Sequence, residues 1–584
     1  MTLYHRPRVG ATGDTRRVEF KLVAQARPAP DAPSKRRRAT RAAAALTAFA
    51  VLACPVPGLA VEPPAPAAAA DASLQVDARR PGGGVVPAHF VGFSIEWSLI
   101  ERYMGPSARP AFANLLRNLG SGLLRIGGGS QDHMPFDAAA PNTNRVITPE
   151  DLLAVRATLD AANAGDERRA VPSWGTILGT ALAPPDAERP WLGPEHARAF
   201  TTQGVAPAFA RGAERDVAGI GLGNEPDISY DYDLTRYLSD LLTYRDAEVT
   251  HPFPVIAPST SEPIAPWSAI DARAVRTRFF WEWPAILDAI APTMTAGRGM
   301  FGAFATDHFY PLARGCVSDP YRCATIERLL SDERRANLAY EVFVHAGEAA
   351  RRGLRYRLQE VNSAAGRGVD GVSNVAASAI WALASMFEAA CPQPPNVPGA
   401  NAECETGAVG VNLHNAEVRE FFFPEEGNAY YNAIDYDPSP AAGAPTAAPG
   451  YYALLLFARF AQETRGLRPV AVGADSTAGT QVKAWRVDVG ASERRLFVVS
   501  SADHPLTVTV AAPGSRYELD RMTPYDPTGA GRTLDAPQVR IDGRSVAADG
   551  SWPGFAPTVG NIVRGRLQIA LGAGEAAVLT LRGR

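Results

Sequence analysis

The chain has 584 residues, 58 of them basic and 61 acidic, and nearly half are apolar. That length suffices for two or more domains with a sizeable core. The balanced charge, with no basic stripe and no acidic tail, excludes a nucleic-acid surface and a disordered polyelectrolyte as the main purpose of the chain.

Residues 1–34 are polar and aperiodic, as a disordered extension would be. Lys35-Arg-Arg-Arg38 and Arg41 then precede an uncharged apolar run, Ala42–Ala53. Pro55 and Pro57 follow, then Gly58-Leu59-Ala60, a small-x-small pattern. That order predicts a secretory signal peptide cleaved after Ala60. Val51-Leu-Ala-Cys54 offers a lipoprotein box instead, although Pro55 directly after the cysteine disfavours it. The apolar run is too short to span a membrane, so the mature chain is expected to carry no span. Residues 61–72, rich in Ala and Pro, read as a linker.

From residue 73 strand-like and helix-like segments alternate. Ser73–Asp77 is a short strand that needs a partner. His89–Trp97 is an apolar strand ending near Glu96, and a helix is expected over 111–119. Leu123–Asp132 is a strand running into a glycine loop. Pro149–Ala162 is a helix with Thr148 at its cap and Glu150-Asp151 in its first turn. Val171–Leu178 is a further strand. Val217–Gly223 is apolar throughout, as a parallel strand covered on both faces would be. Pro226 cannot donate to a ladder, so that strand must stop by Glu225. A helix over 234–245, a strand at 255–258, and strands over 301–310 and 355–361 follow. A helix over 375–389 carries Trp381 and Phe387, and the strand 408–415 ends in Asn412-Leu-His-Asn415. Eight strands mostly separated by helices predict a (β/α)8 TIM barrel over residues 89–464.

The texture changes after a last helix, expected over 451–464. Short strands at 481–489, 495–500, 506–511, 539–542, 567–571 and 576–582 are broken by Gly, Pro and Asp. They predict a C-terminal antiparallel β-sandwich over 465–584 that takes in the N-terminal strand of residues 73–88.

Cysteine usage agrees with export. Besides Cys54, the cysteines are Cys316, Cys323, Cys391 and Cys404, two close pairs in loop-like surroundings. Disulfides 316–323 and 391–404 are expected, because neither spacing suits a zinc site and no histidine cluster lies nearby.

By strand count, Glu225 closes the fourth barrel strand and Glu360 the seventh, so both should project at the catalytic face. A carboxylate pair across a cleft is what glycoside hydrolysis needs: one protonates the leaving oxygen, and the other attacks the anomeric carbon or activates water. Tyr310 and His308 on the sixth strand are expected beside Glu360. A phenol hydrogen bond would hold that carboxylate ionised.

The motifs Gly221-Leu-Gly-Asn-Glu-Pro-Asp227, Leu124-Arg-Ile-Gly-Gly-Gly129, Asp307-His-Phe-Tyr310, Gln359-Glu-Val-Asn-Ser-Ala-Ala-Gly-Arg-Gly368 with Val372-Ser-Asn374, and Pro449-Gly-Tyr-Tyr452 are those of a known group. Over residues 90–460 the chain resembles glycoside hydrolase family 79, the heparanase and β-glucuronidase family. That family lies in the clan of retaining (β/α)8 glycosidases. The resemblance implies Glu225 as acid/base and Glu360 as nucleophile. It implies Asn224 on the sugar 2-hydroxyl, Tyr310 on the nucleophile, and Glu96 and Asp132 on sugar hydroxyls. It also implies a uronate carboxylate held by backbone amides at Gly366, Arg367 and Gly368 and by Tyr431 or its neighbour Tyr430. The chain departs where the family has a second tyrosine, for Ala365 stands there. The Arg367 side chain or an amide beside it is expected to compensate.

A secreted or periplasmic exo-β-glucuronidase is therefore the leading expectation. A β-glycosidase of neutral sugars and a non-catalytic carbohydrate-binding protein are the alternatives, and the presence of both carboxylates speaks against the last. The absence of Lys/Arg clusters from the sequence of the barrel loops favours exo over endo action on sulfated chains. The two carboxylates supply acid, base and nucleophile, so neither metal nor cofactor is called for.

Overall fold

The structure, a computed structural model, describes residues 70–582 except 77–82, 166–170, 211–212, 231, 262–278, 297–299, 317–319, 396–400, 418–427, 437–442, 474–480, 491, 530 and 532. The basic cluster, apolar run, cleavage pattern and Cys54 of the expected leader lie outside the described residues. Among the described residues no helix is long and apolar enough to cross a membrane.

Eight parallel strands close into a barrel in chain order: Val91–Glu96, Gly122–Gly127, Trp174–Thr180, Val217–Leu222, Val255–Thr260, Phe304–Phe309, Arg355–Val361 and Val411–Asn415. Arg355 apart, their residues are buried throughout, and the fourth strand, Val217–Leu222, accordingly reads as an unbroken apolar run rather than an alternating one. The fourth strand stops at Leu222, three residues before Glu225. Gly223 turns out of it at φ +75°, a conformation that glycine adopts without strain. The third strand begins at Trp174 and the eighth at Val411, each three residues later than expected.

The helix Pro149–Ala162 starts as its sequence demands. The Thr148 amide and hydroxyl both donate to the Asp151 carboxylate at 2.9 Å. The helix Ala376–Ala390 joins the barrel to the second lobe. Its Phe387 stacks on Trp485 and meets Phe497 edge-on, with centroids 4.8 and 4.6 Å apart.

That second lobe is a β-sandwich. One sheet runs Gly84–Val86, Thr464–Pro469, Val482–Val489, Glu493–Ser500, Ala576–Arg582, Arg516–Tyr525, Gln538–Ile541, with Thr558–Asn561 also against Arg516–Tyr525. The other runs Val472–Gly473, Ala72–Gln75, Leu506–Ala511, Arg566–Leu571. Leu74, Val498, Val508, Val510, Leu519, Ile569 and Leu579 fill the space between them. The N-terminal strand does pair into this lobe, parallel to Leu506–Ala511 and antiparallel to Val472–Gly473. Two boundaries move. The last barrel helix ends at Phe460, and Thr464 already belongs to a sandwich strand. Arg516–Tyr525, ten residues whose burial alternates only from Asp520 and which carry Arg521 and Pro524, was not expected as a strand.

Both disulfides form as expected, Cys316–Cys323 and Cys391–Cys404.

Candidate active site

The C-terminal mouth of the barrel holds a cavity of about 430 Å³, within the usual range for a small-molecule site. Glu225 and Glu360 both line it. One carboxylate oxygen from each, together with a nitrogen of His308, fall within 4.8 Å of one another.

Glu360 ends the seventh strand and is held from several sides. Its Oε1 accepts from the Tyr310 hydroxyl at 2.7 Å, and its Oε2 lies 2.5 Å from Arg125 Nη1. His308 and His414 each present Nδ1 at 3.8 Å from Oε2. Burial disfavours the charged form, but the charges on His414, His308 and Arg125 and the Tyr310 hydrogen bond outweigh it. They hold the carboxyl well below the usual range. Burial and the Glu360 charge raise the Tyr310 phenol, so it stays protonated and donates.

Glu225 sits one turn beyond its strand at φ +48°, left-handed for a non-glycine residue. Its amide donates to the Ser259 carbonyl at 2.9 Å, and its own carbonyl accepts from Ile228 and Ser229. Pro226 opens the short helix Pro226–Ser229, where a missing N–H costs nothing. The strained backbone, typically 1–3 kcal/mol at about this kind of position, aims the side chain inward. His308 Nδ1 is 2.9 Å from Glu225 Oε1, so this fully buried ring bridges the two carboxylates. Burial lowers the imidazole, yet the two carboxylates raise it above its ordinary value.

Asn224 is fixed by Arg125, whose Nη2 donates to Oδ1 at 2.7 Å. That leaves the Asn224 NH2 as the group available to a sugar hydroxyl. Glu96 ends the first strand and lines the cavity, accepting from the amides of Ser130 and Gly129 at 2.8 and 3.2 Å and lying 3.3 Å from His414 Nε2. Burial opposes its charge, but His414 and Ser130 bring it below its ordinary value. Gly128 makes this approach feasible, for a Cβ there would lie 2.3 Å from the Glu96 carboxylate. Asp132 is not on a strand end. It closes a 3-10 turn, Gly129–Asp132, beyond the second strand. Its Oδ2 accepts from the Asn224 amide at 3.3 Å, its Oδ1 has no hydrogen bond among the described residues, and burial pushes its carboxyl up to about 8.

Gly366, Arg367 and Tyr431 line the cavity beside Ala365. The Gly368 amide is spent on the Ala364 carbonyl at 3.0 Å, so it cannot serve a ligand as expected. Arg367 is buried, at φ +67°, with its Nη2 3.6 Å from Glu417 Oε2. Tyr431 stacks on Tyr310 at 6.0 Å, whereas Tyr430 sits against Arg314 and does not line the cavity.

Sequence reasoning missed Arg125, His414, Arg189, Arg322 and Glu417, which all touch the carboxylates or line the cavity. The first two lay inside quoted motifs, and a buried charge within an apolar strand was the available signal. The expectation of no arginine cluster also fails. Arg314 and Arg322, from one segment, and Arg367, from a later one, gather around the loop 365–368.

A (β/α)8 barrel with a β-sandwich, carrying two carboxylates together at the ends of strands four and seven, is the class that fold and site define. No family model matches the chain, and no curated protein matches it. Among solved structures it is similar to a 4-O-α-L-rhamnosyl-β-D-glucuronidase from Fusarium oxysporum (TM-score 0.53, 16% identity, 87% of this chain and 100% of that one). It is similar also to a family 51 α-L-arabinofuranosidase from Bifidobacterium longum (0.55, 14%, 88% and 100%). A monomeric β-xylosidase from Caulobacter crescentus is a third (0.51, 13%, 88% and 100%). At these identities the likeness is one of fold.

Proposed function

We propose that the protein is an exported, retaining β-glycosidase working by double displacement. Glu360 attacks the anomeric carbon while Glu225 protonates the leaving oxygen. Glu225 then acts as base, drawing a proton from the water that releases the sugar. The observation that carries this reading is the approach of the two carboxylates to within 4.8 Å. Double displacement needs about 5–5.5 Å between the carboxyl groups, whereas inversion needs about 6.5–9.5 Å to seat a water. Their surroundings differ in the required sense. Glu360 is clamped as an anion by Arg125 and Tyr310, while Glu225 shares a proton-carrying imidazole with it. Asn224 is the 2-hydroxyl partner, and Glu96 and Asp132 receive the remaining hydroxyls. The two disulfides support the secreted or periplasmic location.

β-D-Glucuronides are the sugar class we favour. The family 79 resemblance, the position of Tyr431, the charge and amide of Arg367 and the activity in the name of the Fusarium protein all support it. Ala365 favours a second reading, a neutral β-glycoside, because the phenol expected there is missing. Nitrophenyl β-glucuronide and β-glucoside, assayed side by side, separate the two. Azide tests the roles. Glu225→Ala should be rescued on a dinitrophenyl glycoside with release of a β-glycosyl azide, and Glu360→Ala should give the α-azide. Full activity of Glu360→Gln would end the proposal.

A further inference from the structure

The N-terminal end of the barrel strands, opposite the mouth that holds Glu225 and Glu360, contains a second cavity. Leu123, Ile177, Ala218, Ile256 and Phe304, one from each of the second to sixth strands, form an apolar cluster at that end together with Phe301. The seventh strand contributes Arg357, three residues and so ~10 Å before Glu360. The cavity measures about 520 Å³, and Leu123, Phe301, Phe304, Val409, Arg355 and Arg357 are among its walls. None of the described residues that line it is acidic.

Arg357 is only 1% exposed, and every oxygen it donates to is neutral. Its Nε donates to Asn412 Oδ1 at 2.6 Å, its Nη1 to the His89 carbonyl at 2.8 Å, and its Nη2 to the carbonyls of Phe90 and Val91 at 3.4 and 3.5 Å. A guanidinium carries five N–H donors, so one on Nη1 is left over. Burial brings the group down to about 9, still charged at neutral pH, with no carboxylate to oppose the fall. The neighbouring strands leave space for it, since a Cβ at Gly410 or Gly92 would run into Nη1 or Nη2. Arg355, exposed at the start of the same strand, adds a second positive charge. Its Nη1 donates to the Phe301 carbonyl at 3.3 Å, and no carboxylate pairs with it among the described residues. Arg125, buried near the other end of the barrel, has Glu360 as its counter-charge. A buried cation without one is costly, and a bound anion removes that cost.

We propose that this cavity is a second binding site, for a small carboxylate borne on an aromatic ring. The carboxylate takes the remaining Arg357 N–H and the Arg355 guanidinium, which lie two residues apart on one strand and so leave it from the same face. The ring packs against Phe301 and Phe304. Sulfate or phosphate fits less well, because its further oxygens would face Leu123, Phe304 and Val409 without a donor. The site stands apart from the catalytic mouth and does not depend on the glycosidase reading.

The test is titration of the protein with sodium benzoate, benzamide and sodium sulfate at constant ionic strength, followed by calorimetry and by ligand-observed NMR. Benzoate should bind with a Kd on the order of 0.1–1 mM, and benzamide and sulfate ~10-fold more weakly or worse. Arg355→Gln should weaken benzoate ~10-fold, with the unfolding midpoint of the ligand-free protein unmoved. Arg357→Gln should abolish binding. Should that variant fail to fold, Arg355→Gln and the wild-type comparison decide the matter. Benzoate bound no better than benzamide overturns the inference, because the charge then plays no part. Benzoate affinity unchanged in Arg355→Gln also overturns it, by placing the anion elsewhere on the molecule. So does the absence of any benzoate binding at ~20 mM, well above the expected Kd.

Discussion

Tyr310→Phe removes a single oxygen from the environment of Glu360 and keeps the ring that stacks on Tyr431. The lost contact is an O–H donor 2.7 Å from a buried carboxylate, where a hydrogen bond to charge is worth about 1.5–3 kcal/mol. At about 1.36 kcal/mol per factor of ten, kcat/KM should fall ~10–100-fold. Arg125 at 2.5 Å still keeps Glu360 anionic, so the loss should stop short of inactivation. The sign of the pH effect follows from the same contact. The phenol favours the charged form, so its removal raises the Glu360 carboxyl from its depressed position, and the acid limb of the activity profile must move to higher pH. The assay is kcat/KM against pH on a nitrophenyl glycoside, with thermal unfolding as a control on folding. A rate within twofold of wild type together with an unmoved acid limb would refute the assignment of Tyr310 as the group that holds the nucleophile.

Arg125→Gln should strip a fully buried ion pair as well as the anchor of Asn224. Breaking such a pair costs about 3–5 kcal/mol, read as a lower unfolding midpoint and loss of turnover. Asp132, raised by burial from 3.8 to about 8, binds a proton in the fold that the unfolded chain has released. Its contribution is complete below the unfolded value and fades as pH rises through the folded one. Asp132→Asn should therefore gain stability relative to wild type steadily between pH 4 and 8, measured by denaturant unfolding. Glu96 and Glu360 are depressed instead, so their contribution is present at neutral pH and lost on acidification. His414→Asn, which removes a partner of both, should shrink that acid-side loss. Cys391→Ser with Cys404→Ser opens a short loop worth about 3 kcal/mol, so the midpoint should fall in buffer without reductant and match that of reduced wild type.

The two candidate carboxylates were legible because each sits at or just beyond the end of a buried strand, where a polar residue has few structural uses. Their clamps were not. His414 lies on the eighth strand, which pairs with the seventh, and Arg125 on the second, which only barrel closure brings against Glu360. No spacing along the chain encodes that meeting. The arginine corner was hidden for the same reason, since Arg314, Arg322 and Arg367 are joined by a two-residue strand pair too short to leave a periodic trace. The strand Arg516–Tyr525 escaped because its charges and Pro524 contradict a central position. In the fold it lies between Ala576–Arg582 on one side and Gln538–Ile541 and Thr558–Asn561 on the other, with Asp520 itself buried. Packing against neighbours overrode propensity there. The Gly368 amide looked like a ligand donor, and a local turn had already consumed it.

The strand Ala72–Gln75 carries a lesson for anyone who would cut this molecule. It departs from the C-terminal lobe to begin the barrel, yet it pairs with Val472–Gly473 and Leu506–Ala511, far later in the chain. The last lobe to be synthesised is thus incomplete without the first described strand, and neither half can be excised as a tidy module. A truncation placed at the visible seam near residue 465 would strip Ala72–Gln75 from between Val472–Gly473 and Leu506–Ala511, and Gly84–Val86 from beside Thr464–Pro469. Co-expression of the two pieces, rather than either alone, is the route by which a split version would regain its shape.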